Sequence, residues 1–301
     1  MKFDDLDTKM RVFETAHDHC VLPGLWMVAR LDGRRFTALT KKKIKFETPF
    51  DERFRDLMLD TVEHLMTCGF NVLYGYTESD EISLLFSAAE DGFGRKLRKM
   101  LSVLAGEASA RFSLQIGQHA CFDCRISQLP TEQLVIDYFR WRSEDAHRNA
   151  LNAHCYWALR RDGKNGRQAT KVLLEQSVAM KNELLFQHGI NFNDLPNWQK
   201  RGAGLYWETY LKKAVNLKTN EPVTAERRRI VRELQLPMRD EYDRFIEKII
   251  RGDKQEPKNG RAPADFRIIC DNCIIIVTHY DLIIIGAGPA GLFAAHSIKK
   301  A

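Results

Sequence analysis

The sequence predicts an α+β fold built on an antiparallel sheet. Segments with the apolar spacing of helices alternate with short runs rich in β-branched and aromatic residues, and two of those runs flank an acidic bend. The chain has 301 residues, 44% of them hydrophobic, and can therefore bury a sizeable core. We expect one large domain with an appendage.

The first part of the chain supplies helices, a strand and a hairpin. An amphipathic helix over Asp4 to His19 ends before Pro23-Gly24, where the chain must turn. The next predicted elements are a buried strand over Leu25 to Leu31, a helix start over Arg34 to Thr40, a helix over Asp51 to Cys68, and hairpin strands over Asn71 to Tyr76 and Ile82 to Phe86.

The second part continues the pattern and completes the topology. The predicted elements are a helix over Arg95 to Gln115, a strand over His119 to Ile126, a helix over Thr131 to Leu159 that a break near Ser143 could interrupt, a helix ended by Gly189, and a two-stranded arm over Gly204 to Leu217 and Pro222 to Val231. The order strand, helix, hairpin, helix, strand is that of a split β-α-β, ferredoxin-like sheet with helices on one face.

Acids stand at the tips of two of these strands. Asp32-Gly33 ends the first strand, and Asp80-Glu81 lies at the bend of the hairpin. Taken singly, each pair could be an ordinary turn or a solvated bend. Together, Asp32 and Asp80 would form a site for hard divalent cations that hold nucleotide phosphates. Arg34 and the free N–H groups of the following helix start would then face those phosphates.

Charge and cysteine content narrow the setting. A net charge of +6 and a pI near 8.9 favour polyanionic partners without identifying nucleic acid. The N-terminus lacks the apolar run of a signal peptide, and no window is apolar enough to span a membrane, so we expect a cytoplasmic protein. We expect the seven cysteines to be reduced. A zinc site formed by Cys121-x-x-Cys124 and Cys270-x-x-Cys273 remains a lesser alternative.

Several spaced motifs make the chain resemble the tRNA-histidine guanylyltransferase family, including its bacterial and archaeal "like" members, from about Lys9 through Trp207. That family resembles a polymerase palm domain working in reverse, which adds nucleotides to the 5′ end of tRNA in the 3′-to-5′ direction. The motifs are Leu31-Asp32-Gly33-Arg34-Arg35-Phe36, Glu78-Ser79-Asp80-Glu81, Phe122-Asp123-Cys124-Arg125, Trp141-Arg142-Ser143-Glu144-Asp145-Ala146-His147-Arg148-Asn149 and Lys181-Asn182-Glu183-Leu184-Leu185-Phe186.

The resemblance implies roles for individual residues. It implies that two Mg²⁺ ions bind Asp32, the Gly33 carbonyl and Asp80, with Glu81 supporting the site, and that ATP and GTP are substrates. Lys96 and Lys99 are candidates for binding tRNA, and the family is typically tetrameric. The nucleotide-binding residues expected are Asp32, Gly33, Arg34, Arg35, Phe36, Thr37, Ser79 and Asp80 for the incoming triphosphate, and His147, Asn149, Lys181 and Asn182 for further nucleotide contacts.

The resemblance also implies a chemistry of two steps. ATP or GTP activates a 5′-monophosphate end, and the 3′-hydroxyl of an incoming nucleotide attacks it. Ala150, Asn152 and Ala153 stand where the family has further Asn and Tyr residues. This departure favours templated repair of 5′-truncated tRNAs. Addition of a single G to tRNA-histidine is the alternative, and an RNA- or nucleotide-binding module fused to a flavoprotein is a lesser one.

The C-terminal segment carries a separate motif. Asp281 to Gly291 is a strand running into Gly-x-Gly-x-x-Gly, which resembles the opening of flavin-dependent oxidoreductases. One βα unit cannot form a complete dinucleotide site, so no FAD is expected there. The predicted organisation is a palm domain with a C-terminal arm over 1–250, a linker over 251–279 and a truncated dinucleotide-binding fragment over 280–301.

Overall fold

The computed structural model describes residues 2–215, 222–252, 266–270 and 273–277. The chain divides into two compact units, Met1–Asp253 and Lys254–Ala301. In the described residues, no helix combines the length and apolar character needed to cross a membrane. The helices of the first unit are α1 (Phe3–Thr15), α2 (Phe36–Ala38), α3 (Glu52–Leu65), α4 (Leu97–Ile116), α5 (Glu132–Arg161), α6 (Gly166–Leu173), α7 (Val178–Gln187), α8 (Asn197–Arg201) and α9 (Arg239–Arg251).

The strands of the first unit form one antiparallel sheet with the order β4-β1-β3-β2-β5-β6. Its first four strands have the ferredoxin-like order, which confirms the predicted α+β fold class. The arm joins this sheet because the start of β5 pairs with β2. The strands are β1 (Trp26–Gly33), β2 (Val72–Glu78), β3 (Glu81–Phe86), β4 (Phe122–Leu129), β5 (Ala203–Val215) and β6 (Pro222–Glu233).

Helices cover both faces of the sheet. The sequence predicts helices on one face only. One core packs α3 and α4 against the face of β1 that carries Ala29 and Leu31. The other core packs α5 and α9 against the opposite face, where Val28 lies. Burial on both faces explains why β1 reads as a continuous apolar run and not as an alternating one.

Two local predictions differ from the structure. Helix α5 runs unbroken through Ser143, which is buried. The segment after β1 is not a regular helix start, because Arg35 has left-handed backbone angles (φ 62°) and the short α2 continues into a π-helical turn over Leu39–Ile44. The N–H groups after Asp32-Gly33 are therefore not presented by a helix of useful length.

In the second unit, β7 (Phe266–Cys270) and β8 (Cys273–Val277) pair as an antiparallel hairpin. These ten residues fall within the range interpreted as a linker. The predicted dinucleotide-binding fragment over 280–301 lies outside the described residues.

Close packing of α3 on β2 gives a test of the core. A Cβ atom at Gly75 would lie 2.3 Å from Cγ1 of Val62 in α3. We expect Gly75→Ala to lower the free energy of unfolding by about 1–3 kcal/mol through overpacking, measured by chemical denaturation. Gly106→Ala is the matched control in α4, where no atom lies within 4 Å of the added Cβ, and should raise stability by about 0.5–1 kcal/mol. Equal effects of the two substitutions would contradict the packing.

Candidate functional site

Carboxylates from neighbouring strands meet at one edge of the sheet. Asp32, near the end of β1, pairs with Glu81 at the start of β3 and with Asp123 near the start of β4. Directly opposite residues of antiparallel strands project to the same face with Cβ atoms about 5 Å apart. The register therefore gathers acids from three strands.

Backbone contacts bring the tips of β1 and the hairpin together. The Gly33 N–H donates a hydrogen bond of 3.0 Å to the Asp80 carbonyl. A Cβ at Gly33 would lie 2.5 Å from Cδ2 of Phe36 and 2.9 Å from Cβ of Asp80, so only glycine permits this approach. Ser79 has left-handed backbone angles (φ 52°) and donates its hydroxyl to Oδ1 of Asp80 at 3.1 Å. Asp32, Gly33, Ser79 and Asp80 thus share one edge.

The gathered acids repel one another. Burial raises the pKa of Asp32, and the charges of Glu81 and Asp123 raise it further. Burial also raises the pKa of Asp80, with Asp32 and Glu81 adding to the effect. Burial together with Glu81 raises the pKa of Glu78, at the end of β2, to about 7. A bound cation would relieve this repulsion.

Glu81 contacts cations that the protein itself supplies. Its Oε1 accepts a short hydrogen bond from Arg30 of β1, and its Oε2 accepts one of 2.5 Å from Arg142 of α5. Arg142 is buried and also forms an ion pair of 3.4 Å with Asp145. With both oxygens engaged, Glu81 anchors the two arginines beside Asp32. Its expected role in supporting the site and in catalysis stays a prediction.

Asp32 and Asp80 remain as donors for a metal. Neither forms an ion pair with Lys, Arg or His in the part of the chain that the structure describes. In the described part of the chain, no group of three or more His, Cys, Asp or Glu side chains is arranged to hold a metal ion. Two carboxylates and the Gly33 carbonyl fit Mg²⁺, which prefers oxygen ligands and completes its shell with water and substrate phosphates.

A cavity of about 270 Å³ opens beside Ser79 and Asp80. Two cations stand over aromatic rings in its lining: Lys41 Nζ lies 5.1 Å from the centre of the Trp157 ring, and the Arg55 guanidinium lies 4.7 Å from that of Trp198. A lining that combines aromatic rings, two cations and the Asp80 carboxylate can hold a base and its phosphates. Other lining residues include Phe36, Thr37, Phe46, Phe50, Asp51, Glu78 and Ala153.

Only part of the segment that follows β1 lines the cavity. Thr37 is exposed and lines it, whereas Arg34 and Arg35, at the start of the segment, are exposed but do not line it. Phe36 lines the cavity but is buried, with its ring centre 4.9 Å from that of Phe122. Phe36 therefore serves mainly to hold the strand tip in the core.

The predicted second nucleotide contacts lie on α5 and α7, outside the cavity. The His147 ring is 5.2 Å from that of Phe192, and burial together with Arg201 lowers its pKa. Its Nδ1 is buried and has no hydrogen-bond partner among the described residues. Asn149 instead donates to Asp145 at 3.2 Å. On α7, the amide of Asn182 donates to the Val178 carbonyl, and the Lys181 carbonyl accepts from Cys155. These predictions of nucleotide contact stay predictions.

The predicted tRNA-binding lysines lie away from this edge. The C-terminal end of α4 leads into β4, where Phe122 pairs with Gly33. Lys96 and Lys99 stand at the other end of this 20-residue helix, roughly 30 Å along its axis. Lys96 also forms an ion pair of 2.9 Å with Asp18, whereas Lys99 is exposed. Within one chain, neither lysine is placed beside the carboxylates.

Sequence reasoning missed Arg142, Trp157 and Trp198 and left Lys41 open. Arg142 lay inside a quoted motif but drew no role, although a lone arginine among buried apolar helix positions is a signal for an ion pair. Lys41 stands in the basic run Lys41-Lys42-Lys43-Ile44-Lys45, which the sequence left evenly between a solvated surface and contact with RNA or a triphosphate. Trp157 and Trp198 carried no signal, because aromatic residues at helical spacing usually indicate core packing.

Comparisons with known proteins identify the family. The family model for tRNAHis guanylyltransferase matches residues 7–130, and that for the Thg1 C terminal domain matches residues 133–276. The probable tRNA(His) guanylyltransferase of Drosophila melanogaster is 33% identical over 196 residues, which cover 62% of this chain and 68% of that protein. The tRNA(His) guanylyltransferase of Neurospora crassa is 33% identical over 199 residues, with the same coverage.

Solved structures show the same relationship. A bacterial tRNA(His) guanylyltransferase (Thg1)-like protein in complex with GTP is 26% identical, with a TM-score of 0.61, and the match covers 82% of this chain and 99% of that one. The tRNA(His) guanylyltransferase of Saccharomyces cerevisiae is 27% identical, with a TM-score of 0.61, covering 68% of this chain and 93% of that one. The chain therefore belongs to the tRNAHis guanylyltransferase family of nucleotidyltransferases.

Proposed function

We propose that this protein adds a guanosine nucleotide to the 5′ end of tRNA, with tRNA-histidine as the principal substrate. The observation that carries the proposal is the meeting of Asp32 and Asp80, held by the hydrogen bond from Gly33 to the Asp80 carbonyl, beside a cavity with aromatic walls. The relatives named above are tRNA(His) guanylyltransferases, which supports single guanosine addition.

Magnesium would be held by Asp32, Asp80 and the Gly33 carbonyl. Bound there, it would lower the pKa of the attacking hydroxyl and neutralise charge on the triphosphate. The protein's own part is to hold the two acids at a fixed separation and to keep Glu81 away from the metal by pairing it with Arg30 and Arg142. The Asp32 and Asp80 carboxylates must be ionised to bind the metal, and because their pKa values are raised, protons compete with the metal as the pH falls.

GTP would occupy the cavity. Trp157 or Trp198 would stack on the base, while Ser79 and Lys41 would lie close to the phosphates. The bacterial relative solved in complex with GTP has the same fold over four-fifths of this chain, which supports GTP as a ligand here. ATP as the activating nucleotide follows from the family resemblance alone and stays a prediction, as do the tetramer and the cytoplasmic location.

Templated repair of 5′-truncated tRNAs is the second candidate. The residues that favoured it, Ala150, Asn152 and Ala153, lie on α5, and Ala153 lines the cavity. A small side chain there leaves room for different bases. The named relatives support single addition better, so repair takes second place.

A nucleotide-addition assay separates the two candidates. Full-length tRNA-histidine lacking its extra 5′ guanosine and tRNAs shortened at the 5′ end should be incubated with each labelled nucleotide, with the opposing 3′-strand base varied. Single-guanosine addition predicts incorporation of one G on tRNA-histidine whatever the opposing base. Incorporation that follows the opposing base on several shortened tRNAs would establish repair instead.

Removing either metal-binding acid should abolish transfer while the fold persists. We expect Asp32→Asn and Asp80→Asn each to reduce guanosine transfer by roughly a hundredfold or more, because loss of a direct ligand should cost at least as much as loss of a residue that only orients a ligand. Each variant should also bind Mn²⁺ more weakly, as measured by electron paramagnetic resonance. Asp137→Asn, an exposed change on α5, is the control. Near-native transfer by either variant in magnesium would show that the site assignment is wrong.

Substitution of Glu81 should lower the stability of the fold more than the affinity for the metal. The Glu81→Gln change removes the negative charge shared by Arg30 and Arg142, and we expect the metal-free protein to lose about 1–3 kcal/mol of unfolding free energy, while Asp137→Asn changes it by less than about 0.5 kcal/mol. Denaturation in chelator and Mn²⁺ titration measure the two effects. Unchanged metal-free stability with much weaker Mn²⁺ binding would instead make Glu81 a metal ligand.

A further inference from the structure

The outer part of the β5–β6 arm has no partner in the sheet. β2 pairs with β5 only from Ala203 to Tyr206. Beyond that, residues 208–213 and 224–229, here called the outer arm, pair only with each other in the part of the chain that the structure describes. A two-stranded ribbon gains little stability by itself. Core packing therefore does not explain which side chains the outer arm carries. The presence of its charged residues needs another explanation.

The two faces of the outer arm differ. Because paired residues of antiparallel strands share a face, Glu208 and Tyr210 of β5 lie beside Arg229 and Arg227 of β6, with Lys212 next along the strand. We call this the Tyr210 face; it carries three cations and one acid. The opposite face carries Lys213, Arg228 and Glu226. Arg228 there lies over the Trp207 ring at 4.7 Å, near the root of the arm.

The Tyr210 face has the chemistry of a surface for RNA. The Arg229 guanidinium lies 5.3 Å from the centre of the exposed Tyr210 ring and is fixed by Glu208 at 2.6 Å. Arg227 and Lys212 are exposed and have no acidic partner among the described residues. Arg227 and Lys212 are diagonal neighbours on the paired strands, roughly 7–8 Å apart, which is close to the spacing of successive phosphates along an RNA strand. Phosphates can pair with these cations while an unstacked base packs on Tyr210.

The position of this face indicates a long ligand. Through the pairs Tyr206–Tyr74, Glu78–Glu81 and Glu81–Asp32, it continues the face of the sheet that carries the candidate site. β5 begins opposite Thr77, beside that site, and runs away from it. Lys212 is nine residues beyond Ala203, roughly 30 Å along the strand. Only an extended molecule can contact both the candidate site and the end of the outer arm of one chain.

We propose that the Tyr210 face of the outer arm binds the sugar-phosphate backbone of tRNA at a distance from its reacting 5′ end. The inference rests on the proposed function for the identity of the RNA. A second copy of this chain is a poorer fit, because an arm-to-arm contact about a two-fold axis would set cations against cations.

The test compares two double variants that remove the same charge from opposite faces of the same ribbon. Lys212→Gln/Arg227→Gln changes the Tyr210 face, and Lys213→Gln/Arg228→Gln is the matched control. Binding of labelled full-length tRNA and of an acceptor-stem hairpin is measured by fluorescence anisotropy across a potassium chloride series, without nucleotide. Circular dichroism checks folding, and sedimentation velocity reports the oligomeric state.

We expect the Tyr210-face variant to bind tRNA more weakly and to lower the slope of log Kd against log salt by about 1.5, the value for two lost phosphate contacts. Its affinity for the acceptor-stem hairpin and its oligomeric state should stay unchanged, and the control variant should match the native protein. Equal losses in both variants, or loss of assembly together with tRNA binding, would overturn the proposal. The binding assay contains no nucleotide, so its result does not depend on guanosine transfer. A protein that failed to transfer guanosine would contradict the proposed function, but the measured effect of the Tyr210-face variant on tRNA binding would still hold.

Discussion

Repulsion between carboxylates gathered at one sheet edge is the constraint that the rest of the structure satisfies. Asp32 and Asp80 cannot approach each other with Glu81 alongside unless some of the negative charge is balanced. Arg30 and Arg142 provide that balance from within the protein and take up both oxygens of Glu81. Under the proposed function, the charge on Asp32 and Asp80 is left for Mg²⁺. The protein thus neutralises Glu81 from within and leaves the other two acids without an ion pair among the described residues.

A buried arginine is a costly way to achieve this. Taking Arg142 out of water is compensated only if its hydrogen bonds are satisfied and its charge is paired. Glu81 and Asp145 meet that need from two elements, the sheet and α5 itself. The arrangement fixes α5 to the sheet edge, and α5 carries Trp157 in the cavity wall. One ion-pair network therefore positions both the carboxylates and part of the cavity.

Local signals explain how much of this could be predicted from the sequence. The hairpin around Ser79 and Asp80 and the strand ending in Asp32-Gly33 have strong short-range patterns, and the element order sets the ferredoxin-like topology. The role of Glu81 could not be predicted, because Arg142 lies 61 residues away and meets it only where α5 covers the second face of the sheet. The helices were all expected on one face because α9 was not predicted and the helix predicted over Thr131 to Leu159 was not assigned to the second face.

Basic residues show most clearly why sequence alone does not locate the RNA. Arg95 is buried and donates to the carbonyls of Val21, Leu25 and Glu90. Lys96 and Arg98 share Asp18, which lowers the pKa of that carboxyl. These cations serve the fold, although in the sequence they stand in a basic run that opens a helix. The residues available to phosphate are those whose charge no acid of the protein balances. Finding them requires the strand register of an arm that pairs with itself, and a net charge cannot supply that information.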